Sequence, residues 1–360
     1  MTTPNYSIKI SQIKDMVQKL LKTLIILFTT LVSLQLVAKH QSQIIQINNH
    51  PLHVTRWFIE EQPSLEKRHT STTEQKATVI LLSGPTDNWF SDSAWYARLA
   101  PRLTKQFDVY TIDRAGQITA DAKAQVGYVQ FADDLRKFII QKELQNIHFV
   151  GFASSNISLL HLFNQSAEFL EPMNILSVTL IDPDVITDFS IERYRKDAYP
   201  FKKNLQAYVK YIEEGKYDAR AKQKTEMDYQ HIKTLSADDP LTDWQFVERI
   251  FARRLNRINL QNQFREIAQY DEDLLSTKML FFPKELKLTI IDTDFEQRYI
   301  EQSKNDELKK ELKDWRKDGK QYYLKLIERA KEGKYIELDT QEHLIPFSQP
   351  EVITDILLEK

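Results

Sequence analysis

The residue types that could carry covalent or proton-transfer chemistry fall in a few short stretches. Residues 146–160, NIHFVGFASSNISLL, run from an apolar strand pattern through Gly151 and the small residues Ala153, Ser154 and Ser155 into an apolar helix pattern. LIDPD and IIDTDFE place Asp182, Asp184, Asp292, Asp294 and Glu296 directly after apolar runs, and EHLIPFSQPEV places His343 near the end of the chain. A hydroxyl, an imidazole and a carboxylate are the parts of an activated nucleophile, in which the base takes the proton and the acid orients the base. The question is whether the turn after residue 150 presents an attacking group or has lost one. The chain has no cysteine, which excludes thiolate chemistry and disulfides. Its eight histidines are scattered without metal-ligand spacing, so neither a metal nor another cofactor is expected.

Positioning such groups requires a rigid frame, and the apolar runs supply one. ATVILLSG (77–84), FDVYTIDRAG (107–116), NIHFVG (146–151), LSVTLIDPD (176–184) and LKLTIIDTD (286–294) are short, rich in β-branched residues and closed by glycine or acidic residues. Runs of this kind suit strands buried on both faces of a parallel sheet. Helical patterns lie between them, as in FADDLRKFIIQKEL (131–144), so the expected fold class is α/β, a doubly wound, mostly parallel sheet. Residues 43–60 alternate on either side of Asn-Asn-His-Pro and read as a hairpin, followed by a polar loop over 61–76. Residues 185–285 are charged, helical in period and free of buried-strand runs, which marks an inserted helical cap. The segment 301–334 reads as a second, charged insertion, a pair of amphipathic helices with a solvated face. The core is thus expected in two parts, 41–184 and 286–360. Three of only seven glycines, Gly84, Gly116 and Gly151, fall at C-terminal strand ends, the edge where open α/β sheets bind ligands.

Residues 23–38, TLIILFTTLVSLQLVA, form an uncharged apolar run preceded by Lys9, Lys14, Lys19 and Lys22. The pattern predicts an export signal or N-terminal membrane anchor over residues 1–40, with the rest exported: periplasmic, or held at the outer face of the cytoplasmic membrane. Lys+Arg total 49 against Asp+Glu 51, a formal charge of -2, which gives no long-range attraction to nucleic acid. The partners expected are a small-molecule or lipid substrate and, if the segment is uncleaved, a membrane.

The order of these parts resembles the α/β-hydrolase fold family. A hairpin comes first, then LLSGP in place of its oxyanion loop and DVYTIDRAGQ in place of its Asp-x-Arg-Gly turn. FVGFASS stands at the nucleophile elbow, a cap is inserted, an acidic residue follows a late strand, and EHLIPFSQPEVITDIL closes the chain. The resemblance implies His343 as the base and Asp294 as the orienting acid, with Asp292, Glu296, Asp182 and Asp184 as alternatives. It also implies Gly84 and the Ser154 N–H as oxyanion donors, the register that avoids Pro85. The sequence departs from the family at the elbow. That turn needs small residues two before and two after its tip, where strand and helix cross. Ala153 at the tip gives Gly151 and Ser155, both small. Ser154 gives Phe152 and Asn156, and Ser155 gives Ala153 and Ile157, which are poor fits. Sterics therefore favour a tip without a nucleophile, with Ser154 one position along.

Three readings follow. One is a serine hydrolase of an ester, lipid or amide with Ser154 displaced; another is a binding protein that keeps the pocket but not the attack; the third is a His/Asp general-base enzyme without a covalent intermediate. Cap aromatics, among them Tyr194, Phe201 and Tyr208, either line an acyl pocket or form the cap's own core, and Trp89 and Trp95 either shape the pocket mouth or pack within the fold.

Overall fold

The computed structural model describes residues 38–59, 76–165, 173–236 and 238–359. The expected leader or anchor lies outside the described residues up to position 37, as does nearly all of the polar loop. Its last three residues, Ala38 to His40, belong instead to the first strand.

Eight strands form one sheet: β1 (Ala38–Ile47), β2 (His50–Ile59), β3 (Thr78–Leu82), β4 (Asp108–Asp113), β5 (Ile147–Phe152), β6 (Ile175–Ile181), β7 (Lys287–Asp292) and β8 (Glu332–Glu337). Their spatial order is β1-β2-β4-β3-β5-β6-β7-β8. β1 and β2 pair antiparallel around Asn48 and Asn49, whose φ values of 52 and 64 are those of a two-residue hairpin turn. β2 meets β4 antiparallel, and every later pairing is parallel. The expected α/β class is present.

Buried runs explain the layering. Ile80, Leu82 and Phe149 join one apolar cluster, and Val79, Leu81 and Val150 join another on the opposite face. Alternate residues point to opposite faces of a strand, so an uninterrupted apolar run is what a sheet covered on both sides requires. The covering helices of the core are α1 (Ala100–Leu103), α2 (Tyr128–Gln141) and α3 (Ser155–Phe163).

Between β6 and β7 lie α4 (Asp188–Lys203), α5 (Leu205–Glu213), α6 (Asp218–Ser236), α7 (Trp244–Arg254) and α8 (Arg257–Thr277), the cap anticipated from its lack of strand runs. Side-chain caps start several of them: Thr187 accepts from the Ser190 N–H, Asp243 from Phe246 and Asn256 from Ile258. Buried arginines fasten the cap to the core. Arg254, at the end of α7, donates to Asp92 at 2.6 Å and to Asp228 of α6 at 2.9 Å, and its guanidinium stacks over the Phe251 and Trp95 rings.

The charged segment after β7 differs from expectation. It holds a short α9 (Phe295–Gln302) that starts before position 301 and a single 24-residue α10 (Asp306–Arg329), and β8 begins at Glu332. A continuous charged face carries no internal stop signal, so the sequence divided what the fold keeps whole. The chain ends with α11 (Ile345–Ser348) and α12 (Pro350–Leu358), the latter starting at the anticipated proline. Among the described residues no helix is long and apolar enough to cross a membrane.

Candidate active site

The elbow between β5 and α3 has its tip at Ala153, whose φ of 47 is the left-handed region that an alanine rarely adopts. A Cβ built on Gly151 would fall 2.6 Å from the Ser155 Oγ and 3.2 Å from Leu159 and Leu180, so strand and helix do cross closely there. The small pair at 151 and 155 thus serves the crossing, and the residue thrust forward carries a methyl group. Ser154 is the first residue past the tip, with an ordinary helical φ of -60.

Ser154 is turned toward the cap. Its Oγ lies 3.4 Å from the Tyr270 hydroxyl, and Tyr270 donates its own proton to Asp184 Oδ2. Tyr270 has one proton to give, so the Ser154 hydroxyl is the donor in the first contact. Among the described residues no hydrogen bond joins Ser154 to His343.

His343 sits in the loop before α11, between the rings of Phe152 and Phe295, whose centroids are 4.7 and 4.2 Å from its own. Its Nδ1 is 3.2 Å from Asp182 Oδ2, within ion-pair distance but not aligned as a hydrogen bond. Asp182 follows β6 with a φ of 42, and its carboxylate accepts from the Thr293 N–H at 2.7 Å and the Thr293 hydroxyl at 2.8 Å. Two donors from one residue fix both oxygens, which leaves the carboxylate held toward the imidazole.

The preferred sequence assignment, Asp294, is not at that place. It forms an ion pair with Arg316 and is absent from the cavity wall, because α9 starts at once and carries it to the α10 side. Asp292 accepts from the Tyr335 hydroxyl at the end of β7, and burial pushes it up to about 7, the nearby Asp182 adding like charge. Asp184 lines the cavity; burial pushes it up to about 6 against the pull of the Tyr270 and Ser154 hydroxyls and His343. Glu296 also lines the cavity, is 4% exposed, and its Oε2 has no partner. Burial, reinforced by Asp182 and Asp292, raises it well above the usual carboxylate range.

In the oxyanion loop after β3, Gly84 packs directly against the elbow. A Cβ on Gly84 would meet the Phe152 carbonyl at 2.2 Å and the Ser154 nitrogen at 2.7 Å, so Gly84 is wedged beneath the elbow. Pro85, the next residue, lines the cavity and has no N–H to donate. Arg114 anchors the loop: its guanidinium donates to the Ser83 carbonyl at 2.6 Å and, through two nitrogens, to Glu266 of α8 at 2.8 and 2.7 Å.

Ala153, Ser154, Asp182, Asp184, Glu296 and His343 line a cavity of about 600 Å³ under the cap. Of the aromatics singled out in the cap, Tyr194 reaches it, while Phe201 and Tyr208 stack on one another and on Phe264 as cap core. Trp89 lines the cavity, whereas Trp95 is buried and donates to the Phe90 carbonyl. Tyr270 escaped the sequence reading, since a tyrosine inside an amphipathic helix carries no signal of its own.

Solved structures share this fold. An α/β-hydrolase fold protein from Burkholderia ambifaria is 15% identical, with 89% of this chain and 100% of that one covered and a TM-score of 0.51. This chain has the α/β-hydrolase fold. Cfl2 from Burkholderia cenocepacia is 14% identical over 90% of this chain and 96% of that one, with a TM-score of 0.53. Smu.1393c from Streptococcus mutans is 13% identical over 89% and 97%, with a TM-score of 0.50. No family model matches the chain, and no curated protein matches it in sequence. At these identities the likeness speaks for the α/β-hydrolase fold, and the chemistry rests on the residues.

Proposed function

We propose that this α/β-hydrolase-fold chain performs general-base chemistry on a small molecule or lipid fragment held under the cap, with His343 as base and no covalent intermediate. The observation that carries it is the elbow: Ala153 holds the strained tip, while the imidazole, its carboxylate and the cavity remain. In this reading the His343 imidazole takes a proton from a water or from an acidic substrate proton, and Asp182 stabilises the imidazolium. The Ser154 N–H, at the start of α3, donates to the oxygen on which negative charge develops. In this reading that oxygen has the Ser154 N–H as its backbone donor while Pro85 on the cavity wall offers none, which suits weaker oxyanion character than ester attack by serine.

A second reading, a binding protein without turnover, is favoured by the poor alignment of His343 with Asp182. The two are separated by a substrate panel run on the wild type, Ser154→Ala and His343→Ala. General-base chemistry is supported by turnover that survives Ser154→Ala and disappears in His343→Ala. Turnover lost in Ser154→Ala, together with wild-type labelling by a fluorophosphonate at Ser154, would return the chain to the serine hydrolases and sink the proposal. The same proposal keeps the N-terminal run as an export or anchoring segment, which cell fractionation of the full chain checks.

A further inference from the structure

The cavity carries an electrostatic imbalance that a single base does not use. Six carboxyl side chains line it, Asp87, Asp182, Asp184, Asp197, Glu266 and Glu296, against one arginine, Arg193. Several are answered: Glu266 is paired with Arg114, Asp87 with Arg298, and Asp197 has Arg193 beside it, itself paired with Glu311. Among the described residues no lysine or arginine forms an ion pair with Asp182, Asp184 or Glu296. A buried carboxyl oxygen without a partner costs about 1–3 kcal/mol, so the orphaned Glu296 Oε2 marks a place where something else is to be bound.

The adjoining wall is aromatic. Tyr270 and Tyr194 have centroids 6.1 Å apart, Tyr194 and Trp315 5.9 Å, and Trp315 and Phe295 5.7 Å, a continuous line of rings that ends at His343. Ring faces attract cations, and this wall already does so: the Arg193 guanidinium lies 4.7 Å from the Trp315 centroid. Neutral fatty or ester groups would make use of the rings but leave the carboxyls unanswered.

We infer that the cavity takes a small organic cation, an amine or quaternary ammonium group seated against Tyr194, Tyr270 and Phe295 and faced by the carboxyls of Asp184 and Glu296. The inference rests on the reading of this cavity as the substrate site. Burial first, then Asp182 after β6 and Asp292 on β7, raise the Glu296 carboxyl against the opposite pull of Arg316 on α10, and a bound cation adds to that downward pull and favours release of a proton.

Isothermal titration calorimetry of the full chain tests it with choline and its uncharged carbon analogue, 3,3-dimethylbutan-1-ol, and with benzyltrimethylammonium against phenylacetate. A cation–π contact and one carboxylate together predict at least about a tenfold preference for the cation in each pair. In phosphate and in MOPS buffers at the same pH the choline enthalpies should differ by the difference between the two buffers' heats of protonation, because the buffer takes up the released proton. Glu296→Gln, which keeps the shape of the group, should abolish that difference and weaken choline severalfold. Leu308→Lys, on the more exposed part of the wall, should weaken the cations and leave the neutral alcohol unchanged. Equal binding of the two members of either pair, or choline binding that Glu296→Gln leaves untouched, overturns the inference. His343→Ala separates the two ideas. Cation binding retained there, with no turnover found in any variant, leaves the inference standing and the base chemistry refuted. Turnover of neutral substrates without cation binding does the reverse.

Discussion

Restoring the missing oxygen at the elbow is the sharpest perturbation. Ala153→Ser adds one atom at a residue that lines the cavity and is 6% exposed, on a backbone already held at φ 47. The strain is present before the substitution, so the change in stability should stay under about 1 kcal/mol, the range of substitutions that disturb no packed feature. Its effect on reactivity should be large. The new hydroxyl gains a base in His343, a carboxylate in Asp182 and one backbone donor in Ser154, but Pro85 withholds the second donor. Loss of one oxyanion donor costs about 2.7–4 kcal/mol, or roughly 10²–10³ in rate. Ala153→Ser should therefore become an esterase some hundred- to a thousandfold slower than one with both donors, and should take a fluorophosphonate label. The assay is intact-mass spectrometry after exposure to the probe, with peptide mapping of the label. Wild type should remain unlabelled, Ala153→Ser should gain one adduct at position 153, and Ala153→Ser with His343→Ala should not. A folded Ala153→Ser protein that takes no label would refute the claim that His343 serves the elbow tip.

The orienting acid can be assigned in the same background: Asp182→Asn should cut labelling of Ala153→Ser by up to about 10⁴, whereas Asp294→Asn, which loses only its ion pair with Arg316, should change it less than severalfold. Removing the anchor of the oxyanion loop with Arg114→Ala leaves Glu266 buried and uncompensated, and urea unfolding should show a loss of about 3–5 kcal/mol. Asp292, held up near 7 by burial, keeps its proton in the native state at pH values where the unfolded chain has released it. Stability from this group is therefore present at low pH and declines as pH rises from about 4 to 7. Asp292→Asn should gain more over wild type at pH 8 than at pH 5 in chemical denaturation, with Asp273, also pushed up to about 7 by burial, retaining part of the slope.

The sheet was legible because strands buried on both faces must be apolar at nearly every position, as β3 is from Val79 to Leu82. The elbow was legible for a related reason: close crossing admits only small residues, and the spacing of Gly151 and Ser155 points to Ala153 over either serine. The acid was not, because Asp182 and Asp294 each follow an apolar strand run. What separates them is that Thr293 turns its N–H and hydroxyl on Asp182, a contact between residues 111 apart. The sequence places Gly84 and Pro85 in one loop without depth information, and packing sets Gly84 against the elbow and Pro85 on the cavity wall. The single long α10 was divided in the reading because solvated charge has no boundary marks.

The left-handed alanine has one further consequence. An alanine held in that region costs on the order of 1 kcal/mol, a cost glycine would avoid. The backbone geometry that attack by a side chain demands is thus maintained without the side chain, and alanine and serine codons differ by a single base. A serine at the tip is therefore one base change away, with no intermediate that must first rebuild the turn.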